Sequence, residues 1–394
     1  MSTSPGRHLP MARRSFLDMV VRGGAATAAM SVLPSPALFA QEGSFNERLI
    51  AHSVRPQDLE TLAHLLTSWI TPNDLFFVRS HFYTPSIQES TWALRVDGEV
   101  ERPIEVTLSE LRRMPSTTQV VTLECAGNGR ARFQPPVAGV QWRKGAVGTA
   151  RWTGVRLADV LRQAGVKSSA RHIWLDGADI GIGRAPDFIR NVPIEKAMHG
   201  DTLLAYQMNG EILPLAHGFP LRAIVPGWEG AYSVKWLTHV RAADREHDGA
   251  FVQSSYRYPK RPVPPGTPVV PADTVPLTGL VVKSMIVSPA DDATVPMGTI
   301  RVTGFAWAGE VQVQRVDVST DHGRTWTRAR LGPDHAPYAW RRFEHEWRAT
   351  ERGAHLVLSR ATDAQGRTQP IVAEWNPSGY LWNAVDQVRF NVQA

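Results

Sequence analysis

Seven prolines fall between Pro259 and Pro276. Each proline fixes its own backbone dihedral and removes an N–H donor, so this stretch is neither a helix interior nor a central strand. It divides the chain into a larger N-terminal body and a smaller C-terminal one, and reads as a stiff, extended connector. The hydrophobic period differs on its two sides. Before the prolines, Leu59, Leu62, Leu65, Leu66 and Trp69 recur at helical spacing over residues 55–70, until Pro72 stops the run. Residues 74–83 are aromatic and β-branched, as in a strand and its exit. Short strands (118–123, 221–225) then mix with short helices such as 157–164, with turns at Asp97-Gly98, Asn128-Gly129 and Asn209-Gly210. The body over residues 45–258 is therefore expected to be α+β. Beyond the prolines the period is two. Residues 299–307, 311–319, 325–331 and 355–360 read as strands, with a hairpin turn at Asp321-His322-Gly323 and a bulge where alternation slips between Val313 and Val316. An all-β, immunoglobulin-like sandwich over residues 278–394 fits, with 259–277 as the linker.

Residues 1–40 read as an address. Met11-Ala-Arg-Arg-Ser-Phe-Leu17 carries a twin-arginine pair, and a weakly apolar stretch follows from Met19 to Met30. That stretch contains Arg22 and falls short of the roughly 20 apolar residues a membrane span needs. Small residues then lead to Ala40, with Leu38 at the position where a cleavage site usually has a small side chain. The pattern is that of a cleavable twin-arginine export signal, which predicts a periplasmic protein, folded before export, with no membrane span. Removing it takes away four arginines and one aspartate, which lowers the formal charge from +6 to +3. Nucleic acid drops out as a partner. Arginine is abundant throughout (37 of the 43 basic residues), so a single arginine is no signal.

Cys125 is the only cysteine, which excludes intrachain disulfides, zinc sites built on two or more cysteines, and a C-x-x-C-H haem site. H-E-x-x-H, P-loop and G-x-S-x-G patterns are absent. What remains is Thr122-Leu-Glu-Cys-Ala-Gly-Asn-Gly-Arg130, where a β-run ends at the cysteine and a glycine-rich bend follows. Such a bend lifts a thiolate off a strand end and leaves room beside it, and Arg130 would lower the thiol pKa and bind an anion. Taken alone, the same residues also fit an inert buried cysteine near a turn.

Cys-Ala-Gly-Asn-Gly-Arg130, followed by Pro135-Pro-Val-x-Gly139-Val-Gln-Trp142, resembles the signature of the sulfite oxidase family, mononuclear molybdenum enzymes with a pterin dithiolene cofactor. Further segments match in the same order: Phe77-Val-Arg79-Ser-His81, Ala205-Tyr-Gln-Met-Asn-Gly210, His217-Gly-Phe-Pro-Leu-Arg222, Val225-Pro-Gly-Trp-Glu-Gly230 and Ser233-Val-Lys235. Val318-Ser-Thr-Asp-His-Gly-Arg-Thr-Trp326 and Trp375-Asn376 are similar to the family's dimerisation domain. The resemblance implies a sulfite-oxidase-type molybdopterin domain, with Cys125 as the thiolate ligand of molybdenum and Arg79 and Arg130 as anion-binding arginines. It implies Trp142 as an aromatic wall and Tyr256 as a phenol donating to the substrate. His81, Asp179, His217, Arg222, Ser233 and Lys235 would hold the pterin and its phosphate, with Asp176 and Asp187 as neighbours of a loosely aligned Asp179. The bland alternatives are a turn-capping Asp179, a surface pair His217/Arg222, an exposed strand edge at Ser233 and Lys235, and packing for Tyr256.

The implied activity is oxidation of sulfite, or another small sulfur oxyanion, to its oxidised product, with electrons passing to a c-type cytochrome. The haem domain of the vertebrate-type enzymes has no counterpart, since no His-Pro-Gly-Gly motif occurs, so no haem is expected in this chain. A homodimer, or a complex with a cytochrome subunit, is implied. The vertebrate-type enzymes carry a third substrate-side arginine in an Asn-x-Arg-Gly context; here the stretch is Asn376-Pro-Ser378-Gly379. That departure keeps open a second reading, the molybdenum subunit of a sulfane dehydrogenase acting on protein-bound sulfur. A reading of another class is an exported, metal-free binding module.

Overall fold

A computed structural model describes residues 46–394 except 182 and 184. The export signal expected over residues 1–40 lies outside the described residues.

Strands dominate both bodies, and the N-terminal one has only a few short helices. One of its sheets joins Ser116–Glu124, Val147–Arg156 and Leu203–Met208, with Glu211–Ile212 and Arg222–Ile224 both paired to Leu203–Met208. A second, five-stranded sheet runs Ile104–Thr107, Ala93–Gly98, Leu237–Ala243, His172–Gly177, Arg190–Pro193, with Ala93–Gly98 parallel to Leu237–Ala243. The helix Leu157–Ala164 is the one its spacing predicts; Leu157, Val160 and Leu161 are fully buried, and Gly165 ends it at φ +71°. Asn209 and Gly210 both take positive φ, which closes the hairpin between Leu203–Met208 and Glu211–Ile212.

Two expectations are overturned. Residues 55–70 form no α-helix. Leu49–Val54 and Gln57–Thr61 make a hairpin, Val78–Arg79 adds a short third strand, and a single 3-10 turn covers Ala63–Leu65. Tertiary contacts outweigh the helical spacing here. The Glu60 carboxylate accepts backbone N–H bonds from Arg143, Lys144 and Gly145 (2.8–3.0 Å), and Asp58 pairs with Arg79 at 3.0 Å. Both carboxylates thus need the extended backbone. The proline-rich stretch is also no extended connector. Arg257–Pro259 pairs antiparallel with Thr274–Pro276, so the prolines between them form a loop closed at its base. The closing bonds come from non-proline groups, such as Lys260 N–H to Asp273 O (2.9 Å) and Arg257 Nε to Thr274 Oγ1 (2.7 Å).

The C-terminal body is two sheets around one core. Lys283–Ser288, Gly298–Trp307, Arg341–Ala349 and Arg330–Leu331 form one, and Thr294–Pro296, Asp386–Gln393, Gly353–Asp363, Val313–Ser319 and Thr327–Arg328 the other. Val302 and Phe343 from the first meet Val316, Val357 and Val388 from the second. The bulge lies where the slipped alternation predicts it, between Val313 and Arg315, and His322 and Gly323 turn the hairpin at positive φ. With the proline loop closed, the bodies pack together. Trp69 and Trp340 exchange indole-to-carbonyl hydrogen bonds (3.0 and 2.7 Å), and Asp386 accepts from Arg132 at 3.1 Å and Lys144 at 3.3 Å.

Candidate active site

The strand Ser116–Glu124 ends at the cysteine. Cys125 N–H donates to Ala146 O (2.9 Å), and Asn128 N–H donates back to Cys125 O (2.8 Å), which closes the turn. Gly127 leaves room for the Arg130 guanidinium, which a Cβ there would displace. The half-buried Cys125 faces a cavity lined by cationic, polar and aromatic side chains.

That cavity brings together Arg79, His81, Cys125, Asp179, His217, Arg222, Ser233, Lys235 and Tyr256, drawn from segments up to 177 residues apart in the sequence. Arg222 reaches in from its strand and donates to His217 O (2.9 Å) and Ser233 O (2.8 Å). His217 Nε2 bonds the Asn73 carbonyl at 3.1 Å, and burial lowers its pKa to about 3, so the ring is neutral. Lys235 Nζ donates to Ser80 Oγ (2.8 Å) and Ala216 O (3.0 Å). Burial lowers its pKa to about 7, with Arg222 adding to the fall and Asp179 opposing it. His217 and Arg222 are therefore no surface pair, and Lys235 is no exposed edge. Of the three candidate aspartates, Asp179 is buried and lines the cavity, whereas Asp187 is exposed.

Tyr256 has a positive φ of 53°, and its Oη bonds His81 Nε2 at 2.9 Å. Burial pushes the phenol pKa up and the imidazole pKa well down, which leaves both Tyr256 and His81 neutral. His81 stacks on Phe188 at 4.2 Å, and Tyr256 stacks on Tyr380 at 5.6 Å.

Arg130 and Trp142 lie outside the cavity lining. Arg130 donates through Nη1 to Val140 O (2.9 Å) and through Nε to Ser378 O (3.1 Å). The residue at the place of the missing arginine thus holds a present one, through its backbone. A guanidinium has five N–H donors, so Arg130 keeps others free. Trp142 is fully buried, edge-on to His52 at 4.9 Å, and its Nε1 has no partner. The expectation that Arg130 lowers the Cys125 pKa holds only as one contribution. Arg79 and Arg130 do lower it, but burial is larger and the thiol is raised overall. A coordinating metal would deprotonate it outright.

Sequence reasoning missed Glu124, Glu229 and Lys283. Glu124 accepts from Lys283 Nζ (2.6 Å), Asn128 Nδ2 (2.9 Å) and Trp307 Nε1 (2.7 Å) beneath the turn. Burial and the nearby Glu124 push the Glu229 pKa well above its usual value. Lys283 carries no motif, and only the packing of the two bodies brings it here.

The donor set fits an anionic pterin with a soft metal. Arg222 has no carboxylate in ion-pair reach among the described residues, burial and the neighbouring Arg222 lower the Lys235 pKa, and the Cys125 thiol lines the same cavity. Comparison with known proteins decides the family. The oxidoreductase molybdopterin-binding domain model matches residues 81–251, and the Mo-co oxidoreductase dimerisation domain model matches residues 275–393. Sulfite oxidase of Gallus gallus is 38% identical over 88% of this chain and 78% of its own length. The chain belongs to the sulfite oxidase family. It is a molybdopterin-dependent oxidoreductase of that family's type. Mitochondrial sulfite oxidase of Rattus norvegicus is 36% identical over 86% of this chain, and the chain spans 65% of that relative's length. Among solved structures, the sulfane dehydrogenase SoxCD from Paracoccus pantotrophus has a TM-score of 0.76 at 29% identity, covering 94% of this chain and 95% of that one.

Proposed function

We propose that the chain oxidises sulfite to sulfate and passes the two electrons to a c-type cytochrome in the periplasm. The observation that carries this reading is a cavity facing Cys125 that Arg79, Arg222 and Lys235 all line. Cys125 would be the protein ligand of molybdenum. His81, Asp179, His217, Arg222, Ser233 and Lys235 would hold the pterin and its phosphate. When bound, the molybdenum cofactor supplies a two-electron oxidant and an oxygen that water restores.

The chain's own residues bind and orient the substrate. Arg79 and Arg130 offer always-charged, planar donors to a dianionic oxyanion, and Trp142, fully buried, would serve as an aromatic wall behind the site. Tyr256 Oη keeps its proton and would donate it to the substrate, while its hydrogen bond with His81 Nε2 holds the phenol in place. Conversion of sulfite and water to sulfate releases two protons and two electrons.

The twin-arginine pattern supports export. The dimerisation-domain match supports a homodimer through the C-terminal sheets, which we read as immunoglobulin-like; a complex with a cytochrome subunit is the alternative assembly. The domain limits remain those of the sequence reading, 45–258 and 278–394. A second reading, oxidation of protein-bound sulfane sulfur, draws on Ser378 in place of an arginine and on the likeness to SoxCD. Steady-state assay of the molybdenum-loaded protein with free sulfite and cytochrome c separates them. Turnover of free sulfite is expected. Its absence, with a tight dihaem partner co-purifying, would overturn the first reading in favour of the second.

A further inference from the structure

One cation from the C-terminal body grips both flanks of the Cys125 turn. Lys283 Nζ donates to Glu124 Oε1 (2.6 Å), just before the cysteine, and to the Asn128 carbonyl (3.0 Å), which closes the turn after it. Asn128 Nδ2 donates to the same Glu124 oxygen at 2.9 Å, and Trp307 Nε1 donates to the other at 2.7 Å. Lys283 and Trp307 are register partners at the end of one antiparallel pair, so a single sheet edge presents both donors. The Lys283 and Glu124 side chains are each 5% exposed. Burying such a pair is costly, and replacing it by well-packed apolar residues is often neutral or stabilising, so its presence is weak evidence of a stabilising role. Holding the bodies together does not require it, since Trp69–Trp340 and the Asp386 pairs already do so.

We propose that Lys283 is a positioning residue for Cys125: the C-terminal body fixes the direction of the thiol through the Lys283–Glu124–Asn128 clamp. The catalytic unit then comprises both bodies. The inference rests on the reading of Cys125 as the metal's ligand, but its test does not.

Cys125 is the only thiol, so alkylation of the full-length mature chain, made in a host without the cofactor, reports on it alone. Iodoacetamide labelling is followed by intact mass for the parent, Lys283→Met, Lys283→Arg and Trp69→Phe. Releasing the clamp lets the turn open locally, so Lys283→Met should label at least about tenfold faster, and Lys283→Arg within about threefold of the parent. Trp69→Phe removes an inter-body hydrogen bond that does not touch the turn, and should label like the parent. Labelling of Lys283→Met within about twofold of the parent would overturn the proposal, as would equal acceleration by Trp69→Phe. Should Lys283→Met not accumulate folded, Trp307→Phe removes only the bond to the second Glu124 oxygen. It should label at least about threefold faster, and a parent-like rate would overturn the proposal. A chain that binds no molybdenum would defeat the functional reading and leave this result intact.

Discussion

Arg222→Met separates cofactor binding from folding. Burial lowers the Arg222 pKa from 12.5 to about 9. At about 1.4 kcal/mol per unit, keeping the charge costs the cofactor-free chain roughly 5 kcal/mol. Against this stand two charge-assisted hydrogen bonds, to His217 O at 2.9 Å and Ser233 O at 2.8 Å, together worth about 3–6 kcal/mol. Methionine keeps most of the contact with the Trp152 ring, which lies 4.9 Å from the guanidinium carbon. Gain and loss nearly cancel, so the cofactor-free variant should unfold within about 2 kcal/mol of the parent. The loaded protein differs, because a bound phosphate would supply the missing counter-charge. Losing one partner of such a buried pair costs about 2–5 kcal/mol, or about 30-fold or more in retention. Urea denaturation of the cofactor-free chains and pterin fluorescence after dialysis of the loaded ones measure both halves. A loss above about 4 kcal/mol in the cofactor-free variant, or parent-like pterin retention, would refute the argument.

Lys235 gives the pH dependence. Its pKa is lowered to about 7 in the cofactor-free chain, so the ammonium is present below that value and lost above it. Neighbouring Arg79 and Arg222 stay charged and His217 stays neutral across the range, while Asp58 and Asp179 have raised pKa values. Binding of sulfate, whose charge is the same at pH 6 and pH 8, to the cofactor-free chain should therefore weaken as pH rises through about 7, and calorimetry showing equal affinity at the two pH values would contradict this. Arg130→Met should raise the KM for sulfite strongly, and an unchanged kcat/KM would remove Arg130 from substrate binding. Asp386→Ala leaves Lys144 and Arg132 without their shared carboxylate, and should cost about 3–5 kcal/mol in urea denaturation. Lys144 and Arg132 hold the Asp386 pKa below 3.8, so its contribution is present above that value and disappears as pH falls through the lower, folded one.

Much of the site was legible because its chemistry is local. The strand end, the cysteine and the glycine bend are adjacent in sequence, and the helix Leu157–Ala164 and the turn at Asn209-Gly210 follow from spacing and φ requirements alone. The period of two after the prolines likewise gave some of the C-terminal strands, but not Lys283–Ser288, Thr294–Pro296, Arg341–Ala349 or Asp386–Gln393. The failures came where distant partners decide. Residues 55–70 have helical spacing, but Glu60 is needed by three backbone donors more than 80 residues away. The proline stretch looked extended because pairing between Arg257–Pro259 and Thr274–Pro276 cannot be read from composition. Lys283 was invisible for the same reason. Its role depends on a contact between bodies, and no local pattern encodes one.

Molybdenum content is the most direct test of the account. The mature chain, purified from a host that makes the pterin cofactor, should carry about one molybdenum per chain, and Cys125→Ser should lose it while keeping its fold. A folded parent free of molybdenum, or a Cys125→Ser variant that retains it in full, would contradict the assignment of Cys125 as the metal's ligand.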